Sequence, residues 1–194
     1  MDLFRLACRS LIAGQGAVPS VITFNFYISA CGYGQLRLAQ ELFSAMPRWS
    51  LAPNVITYNA MIRVYAQNFC CRMGEQIYLE MQRQGVAPDL GTYNALIRAW
   101  GTIRPARALE VFESLEGRGL APSVFTYNAL LSVCEEDRLQ TLALEVFHRM
   151  AQRGVEPNVI TCSTLIRIFE KRGRRGRYFA RFVVLLVRSI AVGQ

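Results

Sequence analysis

Asparagine recurs at one phase of the chain, as Asn25, Asn59, Asn94 and Asn128, and Ser163 continues the series. An asparagine amide offers both N–H donors and a carbonyl acceptor, so a row of them at fixed spacing can recognise the edges of successive unstacked RNA bases. The competing reading is an asparagine near a helix start that caps local backbone groups; the repeated register shifts the balance toward recognition. Other chemistry has little footing. His148 is the only histidine and lies beside Arg149 in an apolar-periodic segment, the setting of an exposed helix residue rather than a catalytic base. Glu110, Glu113, Glu116 and Glu145 occupy exposed-looking helix offsets without a histidine to complete an acid–base pair, so no enzymatic activity is expected. Cys8, Cys31, Cys70, Cys71, Cys134 and Cys162 lack CxxC spacing and the histidines of a mixed zinc site. They are expected to be buried thiols in a reducing compartment, with no metal and no cofactor.

The asparagines belong to an internal repeat. SVITFNFYISA (20–30), NVITYNAMIRV (54–64), DLGTYNALIRA (89–99), SVFTYNALLSV (123–133) and NVITCSTLIRI (158–168) align directly. Pro19, Pro53, Pro88, Pro122 and Pro157 precede them, at spacings of 34, 35, 34 and 35 residues. A period of this size predicts a solenoid of helical hairpins, because one hairpin cannot bury its own apolar face. The second half of each copy carries the matching stripe. Ala39, Leu42, Phe43 and Met46 fall at i, i+3, i+4 and i+7; Gly74, Ile77, Tyr78 and Met81 repeat the pattern, as do Ala108, Val111, Phe112 and Leu115, and Ala143, Val146, Phe147 and Met150. Phe4, Ala7, Cys8 and Leu11 show the same stripe, so the chain is expected to begin in the second helix of a hairpin.

Turn chemistry sets the boundaries. The second helices lead into QGAVPS, WSLAPN, QGVAPD, RGLAPS and RGVEPN, in which Gly85, Gly119 and Gly154 can adopt the left-handed conformation and the proline three residues on prevents continuation. First helices are predicted to start near the Thr-Phe/Tyr-Asn element and to end near Gly32, Gln67 or Gly101, and Pro105 suits the first turn of a second helix. The predicted organisation is a partial repeat (1–20), complete units at 21–54, 55–89, 90–123 and 124–158, and a degenerate terminal repeat with a basic and apolar tail (159–194).

These residues resemble the pentatricopeptide repeat family, whose unit of about 35 residues combines VVTYNxLI, a helix of the A-L-x-x-F-x-x-M type and a closing G-x-x-P-D or P-N. VITYNAMI with GVAPD in 55–89 is close to that consensus, and the resemblance spans 1–168. Tetratricopeptide repeats share the period, but their Trp, Leu-Gly and Pro positions are not reproduced at fixed offsets. The resemblance implies an all-α fold, a right-handed superhelical solenoid of antiparallel helical hairpins. It also implies that the fifth residue of each unit and its last residue jointly select one base: Asn25 with Asn54, Asn59 with Asp89, Asn94 with Ser123, and Asn128 with Asn158. Asn-Asp is similar to uracil-reading pairs, Asn-Asn to cytosine-preferring pairs that tolerate uracil, and Asn-Ser to a pair favouring cytosine. Because such arrays run parallel to their RNA, a short C-U-C-C-like pyrimidine tract is the expected target.

In the family the second residue of each unit is an apolar wedge that sandwiches bases; here it is Ile22, Ile56, Phe125 and Ile160, with Gly91 departing from the pattern. The alternative for each is ordinary packing against the next hairpin. Arg63, Arg98 and Arg167 share the ninth position and are candidate phosphate contacts, or equally solubilising charges. At the thirteenth position, where the family often carries a basic side chain, stand Tyr33, Gln67, Thr102 and Glu136, and only Lys171 restores the type.

The chain has 194 residues, 52% in the hydrophobic set, which argues for a folded protein. Its formal charge of +8 suits an anionic partner. Residues 1–169 hold 15 basic and 13 acidic side chains and residues 170–194 hold seven and one, so most of the positive balance lies outside the repeats and the asparagine series carries the RNA inference. The stretch after 168 is broken by Arg181 and Arg188 and is too short and charged for a membrane span. A capping helix burying Val183, Leu185, Leu186 and Ile190 is the first reading, with a basic amphipathic contact or an irregular end as alternatives. No targeting peptide is visible in MDLFRLACRS; the family resemblance implies mitochondrion or chloroplast. The expected function is that of a monomeric adaptor or protector on single-stranded RNA, acting with RNA-processing proteins. A protein-interaction scaffold built from the same hairpins is the alternative.

Overall fold

The computed structural model describes residues 3–14, 18–101, 103–136 and 139–170. Lys171, the tail residues Val183, Leu185, Leu186 and Ile190, Thr102, and the side chains of Phe4 and Glu136 lie outside the described residues. The described residues form ten α-helices and one 3-10 turn, with no strand among them. They divide into two compact units, Met1–Ala99 and Trp100–Gln194.

The first unit contains α1 (Leu3–Ile12), α2 (Val21–Ala30), α3 (Leu36–Ala45), the 3-10 turn Met46–Trp49, α4 (Val55–Gln67), α5 (Cys71–Arg83) and most of α6 (Leu90–Gly101). Within it α1 packs on α3, α2 on α3 and α4, and α4 on α3 and α5. The apolar stripe of α3 explains its orientation: Ala39, Leu42 and Met46 are fully buried, together with Cys8, Phe24, Ile28, Met61 and Val64, while Phe43 is half-buried against them. Burial of each large side chain contributes about 1.5–3 kcal/mol. The second unit contains α7 (Pro105–Gly117), α8 (Val124–Glu136), α9 (Gln140–Gln152) and α10 (Val159–Glu170). Here α8 packs on α7, α9 and α10, and α9 also meets α10, around Phe112, Leu115, Tyr127, Leu131, Phe147, Met150 and Leu165.

One turn geometry closes the second helices. Gly85, Gly119 and Gly154 have φ of 71°, 74° and 66°. After α5 the Gly85 N–H donates to Gln82 O and the Val86 N–H to Met81 O, and Gly119–Leu120 and Gly154–Val155 repeat the pair of bonds. At the equivalent place Ser50 has φ 54°, with its N–H on Pro47 O and the Leu51 N–H on Met46 O. A side chain in this left-handed conformation costs about 1–2 kcal/mol; the turn is retained because the flanking helix ends demand it.

All six cysteines are free. Burial pushes the Cys31 thiol up to about 11 and that of Cys134 up to about 12, which keeps both protonated and inert. Cys8, Cys31, Cys71 and Cys134 are buried as the composition predicts, whereas Cys70 and Cys162 are only half-buried. Cys70 precedes α5 as its N-cap, and Cys162 occupies the repeat position that Tyr58, Tyr93 and Tyr127 fill elsewhere. His148 is exposed and its Nε2 pairs with Gln152 at 2.9 Å.

Candidate nucleic-acid interface

The last residue of a unit is the N-cap of the helix that follows. Asn54 Oδ1 accepts the Thr57 N–H at 3.1 Å, and Thr57 Oγ1 in return accepts the Asn54 N–H at 3.2 Å. Asp89 with Thr92 (2.8 and 3.1 Å) and Asn158 with Thr161 (3.0 and 3.1 Å) make the same reciprocal pair. Ser20 and Thr23 do so at the start of α2. Such a cap contributes about 1 kcal/mol. Backbone capping therefore falls to these boundary residues. Asn25, Asn59 and Asn128, a turn further into their helices, are not the caps.

Their amides instead reach the next boundary residue. Asn25 Nδ2 donates to Asn54 Oδ1 at 3.2 Å, Asn59 Nδ2 to Asp89 Oδ1 at 3.0 Å, and Asn128 Nδ2 to Asn158 Oδ1 at 3.2 Å. Sequence positions 29 or 30 residues apart are thus brought into side-chain contact. Asp89 is held below the usual carboxylate range: partial burial alone would raise it, but the hydrogen bonds from Asn59, Thr92 and the Gly91 backbone outweigh that effect. Asn94 lies in the first unit and is half-buried; Ser123 lies in the second, where its N–H donates to Thr126 Oγ1 at 3.2 Å. Ser163 turns back on its own helix, donating to Ile160 O at 3.0 Å.

Beside these polar groups stand large apolar side chains that the fold leaves uncovered. Ile22 is 80% exposed, Ile56 56%, Phe125 64% and Ile160 56%. Burial against the neighbouring hairpin, the alternative for these four, is partial at most. Gly91 interrupts the series; a Cβ there would lie 3.1 Å from both Asn59 Nδ2 and Asp89 Oδ1.

The arginines differ among themselves. Arg63 is exposed and one guanidinium nitrogen donates to Ser29 O at 3.3 Å. Arg98 is exposed. Arg167 pairs with Glu135 at 3.1 Å and contacts Thr164 at 3.2 Å, so its charge is partly neutralised within the chain. Among the acids, Glu116 is half-buried against Arg153 at 2.8 Å. Tyr33 and Phe69 form an exposed edge-to-face pair with ring centroids 6.3 Å apart, a contact that their sequence separation does not announce. The threonines Thr57, Thr92 and Thr161 also escaped sequence reasoning as members of the site, although a threonine at the third position of every copy was there to be seen. Among the described residues no cluster of three or more His, Cys, Asp or Glu side chains could hold a metal, and no helix is long and apolar enough to cross a membrane.

Comparison with known proteins agrees with this architecture. The pentatricopeptide repeat domain profile matches residues 76–137 and 116–172, the PPR repeat family profile 19–67, and the PPR repeat profile 56–86. No curated protein sequence matches. Among solved structures, PPR10 in complex with an 18-nt psaJ RNA element superposes with a TM-score of 0.73 at 29% identity, covering 90% of this chain and 27% of that one. A structure of PPR10 from maize gives 0.68 at 26% identity, covering 96% of this chain and 26% of that one. The PPR domain of Arabidopsis thaliana protein-only RNase P 1 in complex with tRNA gives 0.65 at 17% identity over 87% of this chain and 90% of that one, a likeness of fold alone. This chain thus spans about a quarter of the length of PPR10. With the profiles extending over 19–172 and the hairpins built as described, the chain belongs to the pentatricopeptide repeat family.

Proposed function

We propose that this protein binds single-stranded RNA with base selectivity, preferring a short pyrimidine tract, and acts as a non-enzymatic adaptor or protector in organellar RNA metabolism. The observation that carries the reading is the coincidence, in register, of an exposed apolar side chain at the second position of a unit with a hydrogen-bonded polar pair formed by its fifth and last residues. Ile22 accompanies Asn25 and Asn54; Ile56 accompanies Asn59 and Asp89; Phe125 accompanies Asn128 and Asn158. Exposed Ile and Phe offer a face against which a splayed base packs without being identified, and the polar pair offers hydrogen bonds to its edge.

The chemistry of the pairs suggests the preferences. The contacts from Asn59 and Thr92 to Asp89 all fall on Oδ1. A carboxylate can only accept, which suits the N3–H of uracil, while the second N–H of the Asn59 amide suits a uracil carbonyl. Where the boundary residue is Asn54 or Asn158, its own Nδ2 is a donor, which suits the unprotonated N3 of cytosine. Asn94 with Ser123 is assigned to cytosine by family resemblance. PPR10 was solved in complex with RNA, and the transfer of RNA binding to this chain rests on that likeness together with the geometry. Placement in a mitochondrion or chloroplast, a monomeric state and RNA-processing partners are proposed as part of the same reading, by resemblance to the family.

The test is a titration of the chain with short single-stranded RNAs that carry C-U-C-C or its purine replacements, at one fixed salt concentration because salt alone changes electrostatic binding. Tighter binding of the pyrimidine tract is expected. Equal weak binding of all sequences would overturn the reading in favour of a protein-interaction scaffold.

A further inference from the structure

We infer that Thr57, Thr92 and Thr161 are positioning residues that set which way round the amides of Asn25, Asn59 and Asn128 face. The capping box accounts for two of the bonds at each threonine. It does not account for a third, which leaves the helix altogether: Thr57 Oγ1 donates to Asn25 Oδ1 at 2.5 Å, Thr92 Oγ1 to Asn59 Oδ1 at 2.6 Å, and Thr161 Oγ1 to Asn128 Oδ1 at 2.7 Å. All three threonines are fully buried.

The direction of these bonds follows from the backbone donors and the shortest contacts. A backbone N–H can only donate, so the N–H of Asn54 occupies a lone pair of Thr57 Oγ1 and the N–H of Thr57 occupies Asn54 Oδ1. The single Thr57 proton has two acceptors in reach, Asn25 Oδ1 at 2.5 Å and Asn54 Oδ1 at 3.1 Å; the shorter bond takes it, and Asn25 Nδ2 is left facing Asn54 Oδ1. Turning the amide over would oppose two acceptor oxygens. The same chain of donors runs through Asp89, Thr92 and Asn59, and through Asn158, Thr161 and Asn128. One backbone-anchored hydroxyl thereby presents the remaining amide N–H in a fixed direction, and the helix cap and the recognition residue become one hydrogen-bonded unit. The consequence for base choice rests on the RNA-binding reading; the orientation itself does not.

Thr92→Val, which keeps the shape and removes the hydroxyl, and Thr92→Ser, which keeps the hydroxyl, test this in the full chain. The side-chain amide protons of Asn59, assigned in nitrogen-15 spectra by their loss in Asn59→Ala, are expected to exchange slowly in the wild type and Thr92→Ser and to lose that protection in Thr92→Val. The preference for uracil over cytosine at the second base of C-U-C-C should fall about fivefold in Thr92→Val, the value of one neutral hydrogen bond, and be retained in Thr92→Ser. A purely capping role would lower the melting temperature without changing either readout. Unchanged Asn59 protons in Thr92→Val would overturn the orientation claim. A wild-type chain without base preference would instead refute the RNA-binding reading, with the amide comparison still deciding the orientation.

Discussion

Gly74 stands where the other second helices place Ala39, Ala108 and Ala143, and Gly74→Ala should stabilise the protein. A Cβ at Gly74 would meet Tyr65 Cβ at 3.7 Å, Ile62 O at 3.8 Å and Ile62 Cγ2 at 3.9 Å, all ordinary van der Waals distances. Replacing glycine by alanine inside a helix is worth about 1 kcal/mol, and one buried methyl adds about 0.8 kcal/mol. The expected gain is therefore about 1–2 kcal/mol, or roughly 2–8 °C in melting temperature for a chain of this size. Gly101 supplies the opposite case. A Cβ there would come within 2.3 Å of Val133 Cγ2, so Gly101→Ala overpacks the contact between the end of α6 and α8 and should cost about 1–3 kcal/mol. Thermal unfolding followed by far-ultraviolet circular dichroism at one protein concentration reads both. A lowered melting temperature in Gly74→Ala, or an unchanged one in Gly101→Ala, would refute the packing argument.

Three further outcomes follow from particular residues. Ser50→Gly relieves the left-handed strain at φ 54° and should raise the melting temperature by an amount corresponding to about 1 kcal/mol; no change would mean that the turn is not strained. Asp89 has a folded-state pKa lowered by its hydrogen bonds, so its contribution to stability is present above the ordinary carboxylate range and is lost as pH falls through the lowered value. The acid-induced drop in melting temperature should shrink in Asp89→Asn, and an identical pH profile would remove the carboxylate from this role. Finally, Ile56→Ala and Phe125→Ala should weaken binding of pyrimidine and purine RNAs by similar factors, measured by titration at fixed salt, whereas a change of base preference would show that these side chains read identity.

Much of the architecture was legible in advance because a helical hairpin that must bury its faces on its neighbours repeats its apolar stripe. Leu42, Phe112 and Phe147 announce themselves by spacing. So do the left-handed turns at Gly85, Gly119 and Gly154, where glycine and the proline beyond it encode the helix end. Ser50 does not, since serine carries no left-handed preference and is held at φ 54° by the helix ends around it. The second positions of the units show a different limit. Ile22 and Ile56 are apolar residues next to a helix start, and only tertiary structure reveals how much of each stays exposed. The threonine bonds to Asn25, Asn59 and Asn128 span 32 or 33 residues and depend on how one hairpin is set against the next, which no local pattern specifies.

Base reading by paired side chains is the central claim, and changing one pair into another tests it most directly. Asn54 and Asn158 already hold the same cap and the same amide contact that Asp89 holds, so Asp89→Asn should leave the fold intact. The account predicts that this variant loses the wild-type preference for uracil at the second base and shifts it toward cytosine, with the preferences at the other bases unchanged, in titrations at one salt concentration. A folded Asp89→Asn chain that keeps the wild-type base preference at that position would contradict it.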